Sequence, residues 1–126
     1  MAGPRALVVD DNRDAAEAFA RLIETLGCKA AFVTDPRIAV DTTEHLRPEI
    51  IFLDIGMPGL SGHELARMLR AKYGWKVRIV AVAAHADQAD RALSRQAGFD
   101  AHLAKPVDPD LIHSTLVTLF PEMRWR

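Results

Sequence analysis

The sequence predicts a doubly wound α/β domain, a parallel sheet with helices on both faces. Three observations predict it. Short apolar runs rich in Val and Ile recur along the chain, stretches with apolar residues at helical spacing separate them, and Gly or Pro stands at most of the changeovers. Short, unbroken apolar runs suit strands buried on both faces. Their alternation with helices implies a parallel sheet covered on both sides, and right-handed crossovers make the result doubly wound.

The elements follow in order. Ala6-Leu7-Val8-Val9 is the first strand, stopped by Asp10-Asp11-Asn12. Ala15, Phe19, Leu22, Ile23 and Leu26 mark one face of the first helix, and Gly27 stops it. Ala30 to Thr34 is the second strand, with Cys28 at or just before its start. Pro36 opens a second helix ending near Leu46, and Pro48 breaks the chain. Ile50-Ile51-Phe52-Leu53 is the third strand, followed by a loop containing Gly56, Pro58, Gly59 and Gly62. Leu65, Ala66, Met68 and Leu69 form the inner face of the third helix, and Val77 to Ala83 is the fourth strand. Asp87 to Ala97 carries the fourth helix, closed by Gly98. Ala101 to Ala104 is the fifth strand. Leu111, Ile112, Thr115, Leu116 and Leu119 stripe the fifth helix, with Pro121 beyond. Trp75 falls in a loop, and Arg124-Trp125-Arg126 reads as a frayed end.

At 126 residues the length suits one domain, 1–126, and no linker or internal repeat divides it. Sixteen basic and 17 acidic residues leave a net charge of −1, which argues against an electrostatic nucleic-acid binder. No apolar run is long enough for a membrane span or a secretory signal, so the expectation is a cytoplasmic domain with no membrane insertion. One cysteine excludes an internal disulfide framework and a four-cysteine zinc site.

Ligands of open parallel sheets bind outside the carboxyl ends of the strands. Those ends carry Asp10-Asp11, Asp54, Ala83-Ala84 and Lys105. Three clustered carboxylates repel one another unless a cation joins them. Oxygen-only ligands favour Mg²⁺, with Mn²⁺ or Ca²⁺ able to take its place. Lys105 adds a compact charge suited to phosphate, and a carboxylate can accept a phosphoryl group as an aspartyl phosphate. The residues therefore point to a metal-assisted phosphoryl site with Asp54 as nucleophile. Asp54 follows the most apolar strand and precedes a glycine-rich loop that leaves room for a donor. Each residue alone has an ordinary explanation: Asp as helix cap or turn residue, Lys as a solvated side chain. The joint placement of four at strand ends carries the functional reading.

The pattern Leu7-Val8-Val9-Asp10-Asp11, then Leu53-Asp54-Ile55-Gly56-Met57-Pro58-Gly59-Leu60-Ser61-Gly62, then Lys105-Pro106, resembles the receiver domain of two-component response regulators. The resemblance covers about residues 5–120. It implies a flavodoxin-like fold with five helices around a five-stranded parallel sheet of order 2-1-3-4-5. It implies that Asp54 accepts a phosphoryl group from a histidine kinase or histidine phosphotransfer protein. Asp10 and Asp11 would hold Mg²⁺ with Asp54, Gly56 would lend a backbone carbonyl, and Lys105 would contact the phosphoryl group. Met57, Pro58, Ala84 and His85 would flank the site, with Ala84 small enough for access. The Lys105–Pro106 peptide is expected to be cis. The domain would not be an enzyme beyond slow self-phosphorylation and self-dephosphorylation. Its output surface would be the face of the fourth helix, fifth strand and fifth helix.

The sequence departs from the family at two switch positions. Ala83 stands where Thr or Ser is usual, and alanine has no hydroxyl to bond a phosphoryl oxygen. A hydrogen bond to a charged group contributes about 1.5–3 kcal/mol, so an atypical, weaker switch is expected. His102 stands where an aromatic residue is usual, and its imidazole either adds pH dependence or is simply structural. The alternative is a non-phosphorylated pseudo-receiver that acts as an interaction module. An aspartate-nucleophile phosphatase would need an acid/base two residues after the nucleophile, where Gly56 stands. A flavin-binding relative would need a Ser/Thr-rich loop after the first strand. Ala83-Ala84-His85-Ala86-Asp87 resembles the receivers of hybrid kinases.

Overall fold

A computed structural model describes residues 3–84, 95–123 and 125. Its strands are β1 (Arg5–Val9), β2 (Lys29–Val33), β3 (Ile50–Asp54), β4 (Arg78–Ala83) and β5 (Ala101–Ala104). Its helices are α1 (Arg13–Thr25), α2 (Ala39–Leu46), α3 (Gly62–Tyr73), a helical segment at 95–97 (α4) and α5 (Pro109–Leu119). The strands form one parallel sheet in the order β2-β1-β3-β4-β5. Most of the fourth helix expected from Asp87 to Ala97 lies outside the described residues.

The alternation of side chains along the strands explains the two layers. Ala6, Val8, Ile50, Phe52, Val80 and Val82 face one side, where Ala16, Ala20 and Ile23 of α1 and Ile112 and Leu116 of α5 cover them. Leu7, Val9, Ile51, Leu53, Ile79 and Ala81 face the other, under Ala39 of α2 and Leu65, Ala66 and Leu69 of α3. With both faces buried, the three central strands β1, β3 and β4 carry nearly unbroken apolar runs, while the edge strands β2 and β5 are mostly half-buried.

Local signals place the helix starts at the sheet's carboxyl edge. The Asn12 side chain accepts the Ala15 N–H at 3.0 Å and starts α1 directly after the acidic pair. Ser61 Oγ accepts the Glu64 N–H at 3.2 Å and starts α3, an arrangement of the capping-box type. Asp108 caps α5, with Pro109 in its first turn.

Several expectations are corrected. Pro36 opens a 3₁₀ turn, Pro36–Ile38, before α2, because Asp35 accepts the Arg37 N–H and its carbonyl accepts Ile38 N–H. Met68 and Leu111, both placed on inner helix faces, are exposed. Gly62, read as part of a loop, is the first residue of α3. The tail is not frayed at Trp125. Its Nε1–H donates to the Phe120 carbonyl at 3.1 Å, and the indole packs against the α1/α5 core.

Candidate functional site

The order β2-β1-β3 reverses direction between β1 and β3, which opens a crevice at their carboxyl ends. Asp10 follows β1, and Asp54 is the last residue of β3. One carboxylate oxygen from each of Asp10, Asp11 and Asp54 lies within 4.8 Å of the others. Asp10 is buried, Asp54 half-buried and Asp11 exposed, so the cluster grades from the interior to solvent.

Lys105 enters from the end of β5. Its backbone N–H donates to the Ala83 carbonyl at 2.8 Å, and its peptide bond to Pro106 is cis. Its Nζ reaches Asp54 Oδ2 at 3.1 Å and Asp10 Oδ2 at 3.3 Å. The acids are held from behind by backbone donors. Asn12 N–H reaches Asp10 Oδ1 at 3.0 Å, and Gly56 N–H reaches Asp54 Oδ1 at 2.9 Å.

Burial pushes the Asp10 carboxyl above the usual carboxylate range, and the neighbouring Asp54 adds to it. The Asn12 N–H and the Lys105 ammonium offset part of that rise. Burial alone would lower the Lys105 pKa. Its hydrogen bond to Asp54 and the charges of Asp10 and Asp54 outweigh burial, and the ammonium is held above its ordinary value. Lys105 is therefore a fixed positive charge at neutral pH, while the site still carries more carboxylates than cations. Three hard oxygen donors at this separation, with solvent on the Asp11 side, fit a divalent cation that keeps several waters, as Mg²⁺ does.

The remaining predicted positions surround this cluster. Gly56 is exposed, two residues beyond the end of β3, and Pro58 is exposed beside Gly59. Met57 is buried and packs into the core under α3. Ala83 ends β4, one residue beyond Val82, which pairs with Asp54. Ala83 is buried and Ala84 exposed. His102 is half-buried on β5 and pairs with Ala81. His85 lies outside the described residues.

Three features of the site escaped sequence reasoning. Asn12 both caps α1 and donates to Asp10. The signal was present in Asp-Asp-Asn before a helical stripe. Gly62 supports the backbone behind Asp54: a Cβ there would lie 2.6 Å from Ile55 Cα and 2.8 Å from the Asp54 carbonyl oxygen. Finally, a cavity of about 260 Å³ opens beside Asp54 and Lys105, walled by Ala15, Phe19 and Leu22 of α1 and by Val107. Only the three-dimensional path of the β5–α5 connection reveals it.

Residues 6–117 match the family model of the response regulator receiver domain. The DNA-binding response regulator MtrA of Mycolicibacterium paratuberculosis is 35% identical over 105 residues, covering 83% of this chain and 46% of that protein. The chain thus spans about half the length of the curated relatives it matches. The receiver domain of sensor histidine kinase PA1611 from Pseudomonas aeruginosa PAO1 was solved with a magnesium ion in its active site cleft. It is 32% identical, with a TM-score of 0.81, covering 93% of this chain and 97% of that one. Vibrio cholerae chemotaxis protein CheY4 has a TM-score of 0.85 at 22% identity, covering 93% of this chain and 98% of that one; this likeness concerns the fold alone. Among the described residues, no helix is long and apolar enough to cross a membrane.

Proposed function

The chain belongs to the response regulator receiver domain family of two-component systems, and on that premise we propose that Asp54 is its phosphoacceptor. The observation that carries this reading is the convergence of Asp10, Asp11 and Asp54 within 4.8 Å, with Lys105 Nζ 3.1 Å from Asp54.

The donor is a phosphohistidine of a histidine kinase or a histidine phosphotransfer protein. Its imidazole-bearing segment enters along the cavity between α1 and Val107, which leads to Asp54. Asp54 attacks phosphorus, the nitrogen–phosphorus bond breaks, and the imidazole leaves. Gly56 N–H orients the attacking carboxylate by holding its Oδ1. Lys105, bridged to Asp10 and Asp54, stabilises the negative charge on the phosphoryl oxygens. Asp10, Asp11 and Asp54, with the Gly56 carbonyl, would hold Mg²⁺, which supplies charge neutralisation when bound; Mn²⁺ or Ca²⁺ could stand in for it. The domain transmits a signal rather than turning over a substrate. Residues 1–126 act as one cytoplasmic receiver domain without nucleic-acid contacts of their own, and the face of α4, β5 and α5 meets the downstream protein.

Ala83 makes the switch atypical. A methyl group at the end of β4 cannot bond a phosphoryl oxygen. Coupling between modification and conformation is therefore weaker by about 10- to 150-fold.

The test is Mg²⁺-dependent labelling by acetyl phosphate or phosphoramidate, compared with Asp54→Asn. Labelling of the wild type and none of the variant is expected. Equal labelling of both would move the acceptor elsewhere. A folded wild type that never labels would favour the non-phosphorylated interaction module that Ala83 also suits.

A further inference from the structure

Parallel strands collect their starts at one rim as they collect their ends at the other. The ends carry the acids Asp10, Asp11 and Asp54, whereas the starts are basic. Arg5 opens β1, Lys29 opens β2, Arg47 caps α2, Lys72 lies in the last turn of α3, and Lys76 stands two residues before β4. All five are exposed. The acids of the same rim are already held. Glu44 pairs with Lys72 at 3.5 Å and accepts the Tyr73 hydroxyl, Glu49 pairs with Arg5 at 3.4 Å, and Asp100 pairs with Arg70. Lys29, Arg47 and Lys76 enter none of the ion pairs among the described residues. In a chain of net charge −1, the rim is a local excess of positive charge.

Two large apolar side chains stand exposed within it, Trp75 at 69% and Leu46 at 45%. Trp75 belongs to a 3₁₀ turn, Gly74–Lys76, between α3 and β4. Its ring lies 4.0 Å from the Arg70 guanidinium carbon, and Arg70 is itself fixed by the carbonyls of Gly98, Gly74 and Val77. The indole is therefore held in place with its other face to solvent. The Tyr73–Glu44 bond ties the end of α3 to the end of α2, so Trp75 and Leu46, each two residues farther along, share the rim.

We propose that this amino rim docks the domain peripherally on an anionic lipid bilayer, with Trp75 and Leu46 in the headgroup region. The charges spread over the starts of separate elements, which suits a broad anionic surface. An aliphatic side chain beside the indole gains from lipid and offers nucleotide bases no stacking face. Tryptophan favours the membrane interface, and each Lys or Arg near an anionic leaflet contributes about 5-fold in binding. Docked in this way, the domain turns Asp54, at the opposite ends of the strands, toward solvent and its phosphoryl donor. The proposal does not depend on the reading of Asp54.

The experiment is co-sedimentation of the full chain with vesicles of phosphatidylcholine plus phosphatidylserine, and with vesicles of phosphatidylcholine alone. Expected is binding to the anionic vesicles only, falling as salt is raised. Trp75→Ala and the double variant Lys29→Glu/Lys76→Glu should each bind about 10-fold more weakly or worse. Brominated lipid should quench wild-type emission on anionic vesicles and leave Trp75→Phe, which retains Trp125, unquenched. No binding to anionic vesicles, equal binding to both kinds, or a charge-reversed variant that binds as wild type would overturn the proposal. Binding to single-stranded DNA or to an acidic peptide without binding to the vesicles would assign the rim to another polyanion and overturn it too.

Discussion

Gly62→Ala tests how the backbone behind Asp54 supports the site. Gly62 is the first residue of α3, and a Cβ there would lie 2.6 Å from Ile55 Cα and 2.8 Å from the Asp54 carbonyl oxygen. Carbon contacts are comfortable at about 3.5 Å and beyond, so the gap must open by roughly 1 Å. Both neighbours are backbone, so no side-chain rotation relieves the clash. Either α3 lifts from the sheet or the chain at Asp54–Ile55 moves. Overpacking of this kind costs about 1–3 kcal/mol, and the better helix propensity of Ala returns less than about 1. The displacement also shifts the Asp54 carboxylate away from Lys105 and the Gly56 N–H. Misplacement of a reacting group by about 1 Å can cost 10²-fold in rate. The assay is a urea titration paired with the rate of acetyl phosphate labelling. Expected are a lower midpoint and a rate reduced by roughly 10- to 100-fold. Gly59→Ala is the control: Gly59 has φ +76° and open space around its missing Cβ, so it changes stability by about 1 kcal/mol through backbone strain alone. Wild-type stability and rate in Gly62→Ala would refute the reasoning.

Other predictions address the scaffold. The Arg70 guanidinium donates to the carbonyls of Gly98, Gly74 and Val77 and to Asp100 Oδ2, which also accepts the Ile79 N–H. Arg70→Met removes one partner of a largely buried pair and should cost about 3 kcal/mol in urea, with Asp100→Asn costing less on that background than alone; a cost below about 1 kcal/mol would contradict it. Burial, reinforced by Glu49, pushes the Cys28 thiol up to about 12. The folded state thus favours the protonated thiol, so its contribution to stability is complete below the unfolded value near 9 and is lost as pH rises toward 12. Urea midpoints should fall over that range more steeply in wild type than in Cys28→Ala, and parallel profiles would contradict this. Trp125 is packed on the core whereas Trp75 is largely exposed. Trp75→Phe should therefore leave a blue-shifted emission poorly quenched by iodide, while a red-shifted, easily quenched emission would put the tail in solvent.

The legible parts of the fold were those set by local pattern. Ile50 to Leu53 is buried on both faces, and such a strand writes an unbroken apolar run. Asp10, Asp54 and Lys105 could be placed at one rim because parallel strands share a direction, so strand ends suffice. Helix faces were less legible. Met68 and Leu111 are apolar yet exposed, while Ala16 and Ala20 lie at the centre of the α1 contact where small residues let the helix approach the sheet. Apolar size marks a stripe without marking its centre. The role of Gly62 was hidden because the clash it avoids involves the path of β3, seven to eight residues earlier. Trp125 was hidden because the surface it covers, Phe120 and the core beside it, forms only after α1 and α5 have packed.

The most direct measurement locates the phosphoryl group itself. Protein labelled by acetyl phosphate in Mg²⁺ is reduced with borohydride, which converts an aspartyl phosphate to homoserine, and its peptides are sequenced by mass spectrometry. Homoserine at position 54, and at neither Asp10 nor Asp11, is the predicted result. Homoserine at another aspartate in labelled protein would contradict the account.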